Sequence, residues 1–204
     1  MRQLIVTEFV TLDGVMEAPG GEPTHPHTGW VGDFFTEAFG AYKSAEVFEA
    51  ESLLVGRVTY ESFAGAWPTY QGEMADRMNS MRKDVVSATL TDPEWTNTTV
   101  IGGDVDASVR ELKAGDGGPI LVAGSRTLVH ELLRRGLVDE LRLQIFPILL
   151  GSGARLWPAD NPNKTTLEPV HAQDFGNGLT AHHFRPTAFT PPPGEATGWT
   201  PPLR

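Results

Sequence analysis

The sequence predicts a three-layer α/β/α domain on a mostly parallel, mixed sheet that an antiparallel hairpin closes near its C-terminal end. Three observations predict it. Short apolar, β-branched runs alternate with amphipathic helical segments up to residue 136, a pattern that yields a parallel sheet with helices on both faces. Two of these runs, "SLLVG" and "PILVAG", pass straight into helices through a glycine. After residue 139 the alternation stops, and "HAQDF" and "LTAHHF" flank "GNG", where Asn177 and Gly178 suit a two-residue hairpin turn.

Each element has its own signal. "RQLIVTEFVTL" reads as a first strand, with Glu8 inside an otherwise apolar run, and "DGVMEAPGGEPTHPHTG" is a long loop rich in glycine and proline. Asp33 or Gly32 is expected to cap a helix in which Phe34, Phe35, Ala38, Phe39 and Tyr42 form a buried aromatic stripe. "SLLVG" is a buried strand leading into the helix "RVTYESFAG"; "MADRMNSMRK" is helical; "DVVSATL" and "TTVIGG" are strands. "DASVRELKAG" is a helix stopped by glycine, "PILVAG" a strand, "SRTLVHELLRRG" a helix, and "DELRLQIFPILLG" a strand broken at Pro147. Residues 1–185 form the expected domain, and the proline-rich stretch 186–204 an extended tail in which Trp199 offers an anchor.

Composition narrows the function. A chain of 204 residues buries close to ~70% of its unfolded surface, so it needs neither disulfide nor metal to fold. Cysteine is absent, which removes thiolate metal sites and cysteine nucleophiles. The net charge of -10 repels phosphate backbones and argues against nucleic acid. No run approaches the ~18 apolar residues of a membrane span, and the expected location is cytoplasmic. His25 and His27 lack an evident third ligand, so they read as a surface loop and no metal is expected. His182 and His183 are adjacent in a strand and point to opposite faces. Trp67 and Trp157 read as packing residues.

The chemistry concentrates at the glycine junctions. In "ILVAGSRTLVHELLRRG", Ser125 is expected to cap the helix, whose first-turn amides and dipole favour an anion. Arg126 sits in that first turn, where a cation opposes the dipole and asks for a compensating negative group. "LLVGRVTYESF" repeats the arrangement with Gly56, Arg57 and Thr59. Two such junctions can clamp a diphosphate from opposite sides. Neither is a Rossmann or Walker fingerprint.

These residues carry a resemblance. "VTLDGVM", "LLVGRVTYESF", "ILVAGSRTLVHELLRRGLVDEL" and "FPILLGSGARLW" follow the order and spacing of the dihydrofolate reductase-like superfamily. They are most similar to the reductase domain of the bifunctional riboflavin-biosynthesis deaminase/reductase and its stand-alone relatives, over roughly residues 2 to 185. The resemblance implies an NADPH-dependent reductase with a dihydrofolate reductase-like fold, a small-molecule substrate and a homodimeric state. It implies cofactor contacts from Gly56, Arg57, Thr59, Ser87, Val122, Ala123, Gly124, Ser125 and Arg126, with Ser87 near the adenosine 2′-phosphate and Arg82 and Lys83 as helpers. It places Asp13 beside the nicotinamide and substrate as the catalytic residue, orienting substrate or relaying a proton, and Gly151 and Gly153 in a substrate loop, with Arg155 the candidate for a substrate phosphate. Two other readings stay open: a pterin or folate reductase, which needs a buried carboxylate on the first helix, with Asp33 and Glu37 as candidates, and a non-catalytic nucleotide-binding dimeric scaffold.

Overall fold

A computed structural model describes residues 1–157 and 164–190. The strands are β1 (Leu4–Thr11), β2 (Ser52–Gly56), β3 (Arg82–Val86), β4 (Thr98–Ile101), β5 (Ile120–Ala123), β6 (Glu140–Phe146), β7 (Lys164–Asp174) and β8 (Thr180–Thr190). They form one sheet in the order β4-β3-β2-β5-β1-β6-β8-β7. The first six pair in parallel, whereas β8 runs antiparallel to both β6 and β7. Being flanked on both sides, β1 is buried on both faces, which is why its sequence is nearly continuous in apolar and β-branched residues.

The helices are α1 (Glu37–Glu49), α2 (Arg57–Ala66), α3 (Glu73–Ser80), α4 (Val105–Ala114) and α5 (Arg126–Arg134). Val109 of α4 and Leu128, Val129, Leu132 and Leu133 of α5 cover one sheet face, against Leu4, Val6, Val122 and Leu141. Val47 of α1, Tyr60 of α2 and Met78 of α3 cover the other, against Ile5, Leu53, Val55 and Leu121. This is the three-layer arrangement expected.

Three boundaries move. The first helix starts at Glu37, with Thr36 as its cap: its side chain accepts a hydrogen bond from the Phe39 amide at 3.1 Å. Asp33 and Gly32 instead lie in a short 3₁₀ turn, Gly32–Phe34. Phe39 still anchors an aromatic cluster with Phe9, Tyr42, Phe146 and Phe175. The strand expected to begin at Asp84 begins at Arg82. The chain expected to leave the domain at residue 185 stays in β8 to Thr190, paired with Lys164; the rest of the proposed tail, with Trp199, lies outside the described residues.

Candidate functional site

In this strand order β5 lies between β2 and β1, so the two glycine junctions sit on neighbouring strands at the carboxyl edge of the sheet. They are bonded to each other. The Gly56 amide donates to Ser125 Oγ at 2.9 Å, and the Ser125 amide donates to Thr59 Oγ1 at 2.9 Å. A Cβ on Gly124 would stand 3.2 Å from the Thr59 side chain. The two facing cradles expected from sequence are therefore one fused cradle.

Ser125 occupies the helix N-cap position but makes no capping bond with its side chain. Its hydroxyl serves Gly56 instead, 69 residues away in sequence. It holds φ 62°, directly after Gly124 at φ 60°. A left-handed non-glycine residue costs about 1–3 kcal/mol and persists only where its surroundings enforce it. The Gly56 and Thr59 bonds supply that enforcement.

With the Gly56 and Ser125 amides used internally, the donors left at the cradle are the first-turn amides of α2 and α5, which helix geometry leaves without partners. Neither first turn carries an acidic residue, and each helix begins with an arginine. Arg57 pairs with Glu61 at 2.7 Å on the exposed face of α2, and Arg126 leans toward the Arg155 carbonyl at 3.5 Å. Val122 is fully buried under α5, so its side chain serves the core, as does the partly buried Ala123. Ser87 follows Val86, the register partner of Gly56, and thus shares the same edge; its hydroxyl accepts from the Thr89 and Leu90 amides.

Arg82 and Lys83 do not join the site. They open β3 and lie at the opposite end of the sheet from Ser87. Arg82 pairs with Asp84 at 2.8 Å. Lys83 is buried, donates to the Asn79 and Thr96 carbonyls, and stands over the Trp95 ring; burial pushes its pKa down to about 8.

Asp13, Gly151, Gly153 and Arg155 do come together. The Thr11 hydroxyl donates to Asp13 at 2.6 Å, the Gly151 amide at 2.8 Å and the Leu150 amide at 3.3 Å. Chiefly through the Thr11 bond, the Asp13 carboxyl is held below the usual carboxylate range. Arg155 Nε donates to the Asp13 carbonyl at 2.9 Å, and its guanidinium lies 4.0 Å from the carboxylate. Asp13 is thus an ionised staple between the end of β1 and the 150–155 loop.

The long loop after β1 is packed over that staple. His25 is buried, with Nε2 3.2 Å from the Ser152 carbonyl, so it is no surface histidine; among the described residues no metal-binding cluster occurs. Glu17 accepts from the Ala154 amide at 2.7 Å. Gly153 has φ 105°, and a Cβ there would meet Val15 at 3.0 Å and His25 at 3.1 Å, so glycine is required by space as well as by backbone.

Three carboxyls that the sequence did not assign are buried: Asp84, which takes the Arg82 ion pair, Glu46 and Glu8. Glu46 of α1 lies under the sheet, hydrogen-bonded to Thr7 and Tyr42 and ion-paired with Lys43. Burial drives its pKa up, but Lys43 and Arg142 outweigh that and hold it ionised. Asp33 and Glu37 are exposed, so the first-helix acid demanded of a pterin reductase is not at either candidate, and the one buried carboxylate on α1, Glu46, is tied up in ion pairs with Lys43 and Arg142. Glu8 of β1 is only 2% exposed and its Oε1 has no hydrogen-bond partner. Its signal was present: a charge in an apolar strand.

The match to the RibD C-terminal domain covers residues 2–181. The chain belongs to that family. It is 27% identical to the uncharacterized protein YyaP of Bacillus subtilis (strain 168), over 87% of this chain and 92% of that protein. A putative riboflavin biosynthesis protein from Shewanella sp. PV-4 superposes with a TM-score of 0.67 at 21% identity, covering 91% of this chain and 99% of that one. A dihydrofolate reductase from Enterococcus faecalis, in complex with NADP(H) and RAB-propyl, superposes with a TM-score of 0.54 at 15% identity, covering 91% of this chain and 97% of that one. The fold of this RibD C-terminal domain is therefore dihydrofolate reductase-like. Among the described residues no helix is long and apolar enough to cross a membrane.

Proposed function

We propose that this protein is an NADPH-dependent reductase of the riboflavin-biosynthesis type, acting on a small imine or carbonyl substrate related to 5-amino-6-(5-phosphoribosylamino)uracil, as a cytoplasmic homodimer. The observation that carries the reading is the fused cradle. Two arginine-led helices, free of acidic first-turn residues, start side by side at the carboxyl edge where the order of strands reverses, the place where open α/β sheets bind ligands. Membership in a reductase-domain family and the NADP(H) complex of a protein with the same fold support it.

The residues present fit the cofactor. The first-turn amides of α5 and α2 suit a diphosphate, with Arg126 and Arg57 adding charge once Arg57 exchanges Glu61 for phosphate. Ser87 lies on the side where an adenosine 2′-phosphate belongs, about 10 Å, two strand spacings, from β5. NADPH, when bound, supplies the hydride. Asp13 fixes the Gly151 and Leu150 amides and keeps Arg155 facing the site, where its guanidinium suits a substrate phosphate. The loop from Glu17 to His25 holds the 151–155 turn in place through the Glu17 and His25 contacts and leaves that turn open to solvent.

Thermal-shift titration with NADPH and NADH tests this. A hundredfold excess over Kd stabilises by about 2.7 kcal/mol, roughly 5–11 °C for a chain of this size. Arg126→Ala and Arg57→Ala each weaken NADPH about tenfold. No shift with millimolar NADPH refutes the reading.

A further inference from the structure

Glu8 is a buried acid for which neither the fold nor the site above has a use. It lies on β1 one residue past Thr7, and the Thr7–Ala123 pair is the final rung joining β1 to β5. Its side chain therefore points, with those of Val6 and Val10, to the α5 face of the sheet, directly below the place where β5 turns away at Gly124. The Gly124 backbone amide is the nearest backbone group that favours the ionised carboxyl, and Oε1 has no hydrogen-bond partner.

Little around it is charged. β5 presents Val122, β6 presents Leu141 and Leu143, and α5 presents Leu128, Val129 and Leu132. The ionisable residues of α5 nearest the turn face elsewhere, Arg126 toward the Arg155 carbonyl and His130 to the Leu156 carbonyl. Lys43 of α1 is the one charged side chain that acts on Glu8, and it is occupied with Thr7 and Glu46 on the other face. Loss of water on burial is the largest effect on the carboxyl, greater than the pull of Lys43 and the Gly124 amide together, so its pKa stands well above the carboxylate range.

We propose that Glu8 is a positioning residue for the cofactor's diphosphate: its buried, unpartnered carboxyl lies beneath the Gly124–Ser125 turn, where a negative charge disfavours the anion held above. This rests on the dinucleotide reading. From Gly124 to the first-turn amide of Arg126 is two residues, at most about 7.6 Å of chain, and with a contact of about 3 Å at each end the carboxyl lies within roughly 14 Å of a bound phosphate. Two like charges at that separation and an effective dielectric of about 20 weaken binding on the order of tenfold. Binding of the dinucleotide is accordingly accompanied by proton uptake wherever Glu8 is ionised in the free protein.

The test is the affinity for NADP⁺, measured by calorimetry from pH 5 to 9 on wild type, Glu8→Gln and Glu8→Met. Wild type is expected to lose about tenfold in affinity at high pH beyond the titration of the 2′-phosphate, which all three proteins share; both variants are expected to lack that extra loss. A second readout needs no ligand. A carboxyl whose folded pKa is raised stabilises fully below its unfolded pKa and loses that contribution as pH rises through the folded value, so Glu8→Gln should gain in melting temperature over wild type at pH 8 relative to pH 5. An affinity profile unchanged by the substitution, or a stability change equal at both pH values, overturns the role of Glu8 while leaving the dinucleotide reading standing. Absence of NADP⁺ binding in all three proteins at every pH overturns both.

Discussion

Replacing Ser125 tests the cradle at its most constrained point. Its side chain accepts the Gly56 amide at 2.9 Å while its backbone holds φ 62°. Ser125→Ala keeps the left-handed backbone and strands a partly buried N–H, a loss of about 1–3 kcal/mol. At roughly 2–4 °C per kcal/mol for this length, the melting temperature should fall by roughly 2–12 °C. Ser125→Gly loses the same bond but relieves the left-handed strain of about 1–2 kcal/mol. Part of that gain is returned through the extra freedom of glycine in the unfolded chain, about 0.4–1 kcal/mol. The glycine variant should therefore melt at or slightly above the alanine variant, and both below wild type. Calorimetric unfolding of the three proteins without ligand measures this directly. Wild-type stability in Ser125→Ala would show that the two junctions do not depend on this side chain, and the fused cradle would have to be abandoned.

Two further perturbations follow from the same structure. Lys43→Met leaves Glu46, 2% exposed at its side chain, with only Arg142 at 3.6 Å to balance its buried charge, a loss at or below the ~3–5 kcal/mol of a fully broken buried pair; the double variant with Glu46→Gln should recover part of it, and denaturant unfolding of the set shows whether it does. Gly153→Ala forces a Cβ to 3.0 Å from Val15 at φ 105° and should cost about 1–3 kcal/mol. It should also speed proteolysis within the loop that His25 pins, a change that limited digestion detects.

The strand–glycine–arginine pattern made both junctions readable, because a strand, a tight turn and a helix start each leave a local signature. Their fusion was not readable: the Ser125–Gly56 and Ser125–Thr59 bonds depend on β5 inserting beside β2, across 69 and 66 residues. Arg82 and Lys83 were misplaced because charges at 82 and 83 look like a helix end, whereas pairing with Ser52 and Leu53 of β2 extends β3 back over them. The aromatic spacing of Phe34 and Phe35 drew the first helix too far forward, and the cap at Thr36 showed only once its bond to the Phe39 amide was formed. Glu8 stood out as a charge in an apolar strand, but the face it occupies follows from register. The identity of the family was readable because its motifs are the junctions themselves.

The most direct measurement is a crystal structure of the protein with NADP⁺. Diphosphate oxygens should lie about 3 Å from the first-turn amides of Arg126 or Thr127, with the 2′-phosphate toward Ser87 and the nicotinamide toward Asp13. A cofactor seated away from the carboxyl edge, or reversed so that its 2′-phosphate meets Asp13, would contradict the account.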